Sequence, residues 1–503
     1  MSLLGVDVGT TGCKAVAFSA DGAPIASAYR EYDVQRPRPG CAELDAADVW
    51  RKVCDIIAEV AARCRKDPIT ALSVSSLGEA VVPVSADREI LGPSLLHFDE
   101  RGAEYVPALA ECLDDTRLYS INGNTLGNHY GLTKLLWLRD HEPDLYARTH
   151  KFLLWGAFVC HMLGADPVVD YSLANRTLLF DVDHSCWSDE LLAWAGLDCD
   201  KLPDTAPSST VIGTVFDATA HELGLPRGVA IVTGAHDQCA NAVGCGVLEP
   251  GRAMLGMGTV LCVVPVFTQR PEPALMMARG LNTEHHAVPG RYVSFIYNQG
   301  GSLLKWYRDT FATAERDAAR AEGRDLYPEL IAETPEGPGK VLVLPHFTTT
   351  GPPEFISDSC GVIVGLRLDT SRGDVLRGIL EGVIFYLREC LETLPSAGIS
   401  VSEVRAVGGG SQSDTWLQIC ADILGTPLAR PRSHEAGALG GAILAGAATG
   451  VFSSVQEGAR TMVALERSFE PDPARSGAYA SRFDAYRRLW PLFRDYLRRL
   501  SAS

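Results

Sequence analysis

The chain has 503 residues, 46% of them apolar and 21% charged, and carries a net charge of −17. A single core stops growing at roughly 250–300 residues, so two domains are expected. No apolar run approaches the ~20 residues of a membrane helix, and no basic stripe is offered to nucleic acid or an anionic membrane.

The N-terminus, from Met1 to Asp7, lacks a basic leader and meets an acid at once, so it reads as a strand and not as a signal peptide. The fourteen cysteines form no Cys-x-x-Cys pair and no Cys/His grouping at zinc spacing. They read as small buried hydrophobes in a reducing compartment, the cytoplasm.

Leu3–Val8, Lys14–Ser19 and Ile25–Tyr32 are apolar or alternating runs, separated by the turn residues Gly9-Thr10-Thr11-Gly12 and Asp21-Gly22. Behind Asp45 and Asp48, the residues Val49, Trp50, Val53, Ile56, Ile57 and Val60 recur at helical spacing, and Ile69–Val74 reads as the next strand. Three antiparallel strands followed by helix and strand make an α/β pattern. Midway, Val229–Thr233 reads as a strand, Gly234–Gln238 as a turn and Cys239–Gly246 as a small-residue helix. Residues 252–264 again look like strand, Gly258-Thr259 turn and strand, a weaker echo of the opening hairpin. This predicts a pseudo-duplication, with domains at 1–246 and 247–503.

The second half continues with a strand at Val341–Leu344, a helix from Arg372 to about Leu394, and Val404–Val407 running into Gly408-Gly409-Gly410. Near the end, Tyr479, Phe483, Tyr486, Trp490, Phe493, Tyr496 and Leu497 predict a packed amphipathic helix interrupted at Pro491.

Three segments can carry chemistry. A strand delivers Asp7 to its C-terminal end, and a glycine-flanked hairpin exposes Thr10 and Thr11. Its amides and hydroxyls can close on phosphate oxygens, Lys14 adds a charge, and Asp7 can hold a hydrated Mg²⁺. Read alone, the same residues equally suit an ordinary β-hairpin. Asp237 stands where a strand meets a helix, and the helix N-terminus favours the ionised form that a general base needs. The competing reading is a helix N-cap, and His236 reads as a packed turn residue. Gly408-Gly409-Gly410 ahead of Asp414 and Trp416 permits close approach of a flat ring or a phosphate, or serves as a plain connection. Gly300-Gly301 is a weaker version of the same signal.

In order and spacing these motifs resemble the FGGY carbohydrate kinases. The matching features are Asp-x-Gly-Thr-Thr-x-x-Lys at positions 7–14, Gly-x-His-Asp-Gln at 234–238, Gly-x-Gly-Thr at 256–259, and Gly-Gly-Gly-x-x-x-x-x-Trp-x-Gln at 408–418 before a Gly/Ala-rich helix. Residues 39–45, 360–366 and 381–383 extend the resemblance over nearly the whole chain.

The resemblance implies two ribonuclease-H-like domains of the actin/hexokinase type around a central cleft, with sugar mainly on the first domain and ATP mainly on the second. It makes Asp237 the catalytic base, and assigns Thr10, Thr11 and Lys14 with Gly258 and Thr259 to two phosphate hairpins. Gly301, Gly409, Gly410 and Asp414 would line the adenosine, with Mg²⁺ as the metal.

In the substrate loop the chain departs from better-known branches. Ser75–Val81 keeps an acid, Glu79, but lacks the His of the xylulose-kinase branch and the Arg of the glycerol-kinase branch. Phe98-Asp99-Glu100-Arg101 replaces the usual Trp-x-Asp-x-Arg. Glu79, Asp99, Asp237 and Gln238 can hydrogen-bond hydroxyls, and Phe98 can stack on a carbon face. As a buried acid that needs hydroxyl donors, Glu79 predicts a neutral ketose or polyol, a pentulose such as xylulose first, with gluconate disfavoured. Rival readings are an ATP-driven switch of the actin/Hsp70 kind and a non-catalytic regulator with the same fold. The assembly is left open, a homodimer included.

Overall fold

The computed structural model describes residues 1–501 and builds them around two mixed sheets. In the first, Ser2–Val8, Gly12–Phe18 and Pro24–Glu31 form an antiparallel meander. Ile69–Ser76 and Ala230–His236 add in parallel beyond the first strand, and Val211–Thr214 closes that edge antiparallel. The second sheet repeats the plan. Gly251–Met257 and Val260–Phe267 form its hairpin, and Tyr292–Val293 and Ile296–Gln299 pair antiparallel with the second of these strands. Val401–Val407 and Leu428–Pro431 add in parallel, and Leu465–Phe469 closes the edge antiparallel.

Ser2–Val8 is buried along nearly its whole length, which explains why it reads as a continuous apolar run and not an alternating one. One covering helix, Ala46–Arg63, is capped by the Asp45 carboxylate, which accepts from the amides of Ala47 and Asp48. It turns Val49, Val53, Ile56, Ile57 and Val60 into the core. The helix Ala436–Ala448 is built of small residues because it is wedged between elements of the first half. A Cβ added at Gly440 would lie 2.0 Å from the Ala240 carbonyl oxygen, and one at Gly5 would lie 1.7 Å from that of Ala438. Its N-terminal end is thereby carried to the first hairpin.

Two local expectations change. The strand expected to end at Thr233 continues through His236, and the helix begins at Asp237 with no intervening turn. The C-terminal amphipathic segment breaks at Arg487–Arg488, between helices Pro473–Tyr486 and Leu489–Ser501, ahead of Pro491. The proline ring blocks the carbonyl four residues back, so the helix before it must stop. Within the first turn of the next helix its missing N–H costs nothing. Among the described residues no helix is long and apolar enough to cross a membrane.

Candidate active site

Parallel pairing brings the chemistry to one sheet edge. Asp7 and Ala235 both stand in register with Ser75, and His236 with Ser76. The loop carrying Glu79 and the start of the helix Asp237–Gly244 therefore open beside Asp7, at the carboxyl ends of the strands.

At this edge Ser75 donates to Asp7 Oδ1 at 2.8 Å. Burial and the nearby Asp237 push the Asp7 carboxyl up to about 6. Asp237 is the first residue of its helix, and its side chain keeps 31% of its surface open. Burial, then the charge of Glu79, push it up to about 6 as well. At the helix N-terminus the amide and side chain of Gln238 pull it down, in the expected direction, but desolvation and the charge of Glu79 outweigh them. Even so, the carboxylate is ionised at neutral pH. His236 is buried and neutral, its pKa pushed down to about 4 by burial and by Arg176.

The first hairpin closes through Gly9 N–H to the Gly12 carbonyl at 2.9 Å, and the Tyr32 hydroxyl braces both residues by donating to Gly9 O at 2.6 Å. Thr11 at its tip is exposed and Thr10 partly so. The second hairpin exposes Gly258 and Thr259. Its carbonyls tie down the start of the helix Gly301–Phe311, with Gly301 N–H bonding Gly258 O at 3.1 Å and Ser302 N–H bonding Thr259 O at 3.1 Å. A Cβ at Gly301 would come within 2.4 Å of that Gly258 oxygen, so only glycine allows this docking.

Gly258, Thr259, Gly301, Gly409, Gly410 and Asp414 all line one cleft of about 840 Å³ in the second half of the chain. Leu304, Tyr327, Ile331 and Trp416 give it apolar walls suited to a flat ring. The Asp414 carboxylate is already engaged, by Arg430 at 2.8 Å and by Arg467.

Glu79, whose charge acts on Asp237, adopts a left-handed backbone, φ 62°, which is strained for a residue with a side chain and marks a held position. It was expected to need hydroxyl donors from a ligand, but a protein side chain supplies N–H donors in their place. Arg176 Nε donates to Glu79 Oε1 at 2.7 Å, its Nη2 donates to the same oxygen, and its Nη1 to Glu284 Oε1. Burial alone would raise the Glu79 carboxyl, and Arg176 with His97 and His236 brings it down to about 2. Burial works against the charge of Arg176 too, but Glu284 and Glu79 hold its pKa well above the ordinary range. The guanidinium lies over the Tyr130 ring at 4.9 Å and the Phe295 ring at 5.6 Å.

Asp99 is buried and its oxygens are taken, by Ala42 N–H at 2.5 Å and by Arg101 at 2.8 and 2.9 Å. It fixes the loop from which Phe98 stays 40% exposed. Gln238 follows Asp237 in the same helix turn, and its Oε1 is buried without a protein partner among the described residues. Glu284 Oε2 and Asn298 Nδ2 share that condition.

Arg176, Glu284 and Glu435 were absent from the sequence expectations. A usable signal was the polar run Asn282-Thr283-Glu284-His285-His286, where Thr283 to His286 prove buried although nothing apolar flanks Glu284.

The fold and this edge define a two-domain α/β protein built like the sugar kinases. The chain belongs to the FGGY family of carbohydrate kinases, whose N-terminal domain model matches residues 2–244 and whose C-terminal domain model matches residues 253–449. It is thus a carbohydrate kinase, of a family that uses ATP. The chain is similar to the xylulose kinase of Bacillus subtilis, 26% identical with 98% of this chain and 97% of the relative covered. It is also similar to the gluconokinase of Bacillus licheniformis, 27% identical over 99% and 96%. Among solved structures, the xylulose kinase of Rhodospirillum rubrum superposes with a TM-score of 0.86 at 26% identity, covering 99% of this chain and 100% of that one.

Proposed function

We propose that the enzyme transfers the γ-phosphoryl group of Mg·ATP to a hydroxyl of a neutral pentulose, xylulose first, with Asp237 as general base. The observation that carries this is the position of Asp237, which keeps 31% of its side chain open and feels the charges of Glu79 and Arg176, while its own charge acts on Asp7. Ionised at neutral pH and retaining open surface, it can take the proton of an attacking hydroxyl. Full-length similarity to xylulose kinases supports the pentulose, whereas equal similarity to gluconokinases leaves the choice to the pocket. There Glu79 and Glu284 outnumber Arg176, so a substrate carboxylate would meet a surplus of negative charge.

Thr10, Thr11 and Lys14 on one side and Gly258 and Thr259 on the other would hold the phosphates, with the base in the cleft bounded by Gly301, Gly409, Gly410 and Asp414. Glu79, Phe98 and Gln238 would face the sugar, and Asp99 would set the Phe98 loop. The Asp7–Asp237 neighbourhood fits a divalent cation, since the charge of Asp237 disfavours ionisation of the buried Asp7 carboxyl, a cost that a cation would relieve. Among the described residues no three His, Cys, Asp or Glu side chains could hold a metal. Asp7 would thus be the protein ligand, and water and phosphate oxygens the remainder, as suits Mg²⁺. Mg²⁺ would neutralise phosphate charge. The chain's own part is to orient the hydroxyl, accept its proton at Asp237 and exclude water. We assign residues 1–246 to the sugar-side domain and 247–503 to the nucleotide side, and place the enzyme in the cytoplasm on its cysteine usage.

A coupled ADP-release screen over ketoses, polyols and aldonates tests the substrate. Xylulose or a related pentulose should give the highest kcat/KM and gluconate the lowest. Gluconate as best acceptor would overturn the assignment. Replacing Thr10 and Thr11 by Val keeps branching and bulk but deletes two donors. The KM for Mg·ATP should rise about tenfold, from roughly 0.5–1.5 kcal/mol per lost hydrogen bond, while Tm stays within a degree or two. Parallel loss of stability and activity would instead mark a plain hairpin.

A further inference from the structure

Lys14 is not free. Its ammonium lies 2.8 Å from both carboxylate oxygens of Glu435, and the two side chains are 33% and 35% exposed. The partners are far apart in sequence and come from opposite domains. Lys14 leaves the first hairpin in register with Asp7, and Glu435 immediately precedes the helix Ala436–Ala448. The residue before it, His434, has its Nδ1 2.8 Å from Gln412 Nε2, and Gln412 lines the 840 Å³ cleft. A continuous path therefore runs from the cleft wall, through His434 and Glu435, to the lysine of the opposite domain.

A two-pronged carboxylate on a lysine beside an amide-rich hairpin occupies it as a phosphate would. Phosphates entering between the hairpins must draw the ammonium away from Glu435, which is then left unpaired beside them. We propose that Glu435 is a positioning residue that acts through Lys14 as a built-in competitor for nucleotide phosphates. It holds the ammonium at the hairpin when the site is empty and weakens retention of ADP after transfer. This rests on the reading of the hairpins as a nucleotide site.

The test is calorimetric binding of Mg·ATP and of Mg·ADP, at about 0.15 M salt, to wild type, Glu435→Gln, Glu435→Asp, Lys14→Met and the Lys14→Met/Glu435→Gln double variant. Glu435→Gln should bind both nucleotides about two- to fivefold more tightly, the range of a partly exposed ion pair. Glu435→Asp, with its charge drawn back by one methylene, should fall between wild type and Glu435→Gln and serves alone if Glu435→Gln does not fold. Lys14→Met should bind more weakly, and in its background Glu435→Gln should change affinity less than twofold. Unchanged or weaker binding by Glu435→Gln overturns the proposal. So does a full gain that persists without Lys14, because the carboxylate would then act on the phosphates directly. If wild type binds neither nucleotide, the nucleotide reading itself fails.

Discussion

Asp237→Asn should lower kcat by about 10²–10⁴-fold while the sugar KM changes little, because the amide keeps the shape but cannot accept a proton. The same substitution should stabilise the fold at neutral pH. Asp237 and Asp7 both have folded pKa values of about 6 against an ordinary value of 3.8. For a carboxyl raised on folding, the native state binds more protons between those values, so stability falls as pH rises from about 4 to about 6. The full penalty is in place at pH 7. Removing the buried Asp237 charge should therefore raise Tm, by about one to two degrees for about 1–2 kcal/mol in a chain of this size.

Activity in wild type should decline as pH drops through about 6, with an apparent pKa belonging to the Asp7–Asp237 pair and not to either residue. In Asp237→Asn the residual acid limb should move lower, since Asp7 loses its charged neighbour. Steady-state kinetics over pH 5–8 and thermal melts check both limbs. Near wild-type turnover in the variant would remove Asp237 from the chemistry, and a lowered Tm would contradict the like-charge account.

What could be read from the sequence follows from what is local. The two hairpins, their flanking strands and the strand-to-helix junction at Asp237 depend on neighbouring residues and on glycine and threonine placement. The cleft-lining glycines likewise come from short motifs. Partners distant in sequence were invisible. Glu79 could be seen as an acid in a loop, but Arg176 stands 97 residues away and approaches only once the helix Tyr171–Asn175 is in place. Glu284 reaches Arg176 across 108 residues, and Glu435 reaches Lys14 across 421. Periodicity is also silent where a helix is small on every face. Ala436–Ala448 has no amphipathic stripe because elements of the first half and the helix Val455–Met462 pack around it, so its role in carrying Glu435 to the first hairpin could not be read from its composition.

Arg176→Met should be the most destabilising single change in the sugar pocket, by about 3–5 kcal/mol, because it strands two buried carboxylates with one cation removed. Glu79 and Glu284 are 8% and 0% exposed, so water cannot take the place of the guanidinium. The pH dependence separates this from simple loss of packing. In wild type the Glu79 pKa is depressed to about 2 from 4.5, so its contribution is present above about 4.5 and is lost only as pH falls toward 2. Wild-type Tm should therefore be insensitive to Glu79 between pH 5 and 8. Without Arg176, burial outweighs the smaller pull of His97 and His236 and drives the Glu79 carboxyl above its ordinary value. Its sign then reverses: the variant should be most stable at pH 5 and lose stability as the pH rises to 8.

Adding Glu79→Gln to Arg176→Met should recover part of the loss at pH 8 and little at pH 5, since it deletes the charge that the arginine no longer balances. The sugar KM should rise in both variants more than the ATP KM, because the pair borders Asp237 and not the nucleotide cleft. A flat Tm difference between wild type and Arg176→Met from pH 5 to 8 would show that the arginine acts by its bulk over Tyr130 and Phe295. An ATP KM that rises as much as the sugar KM would place the network outside the acceptor pocket.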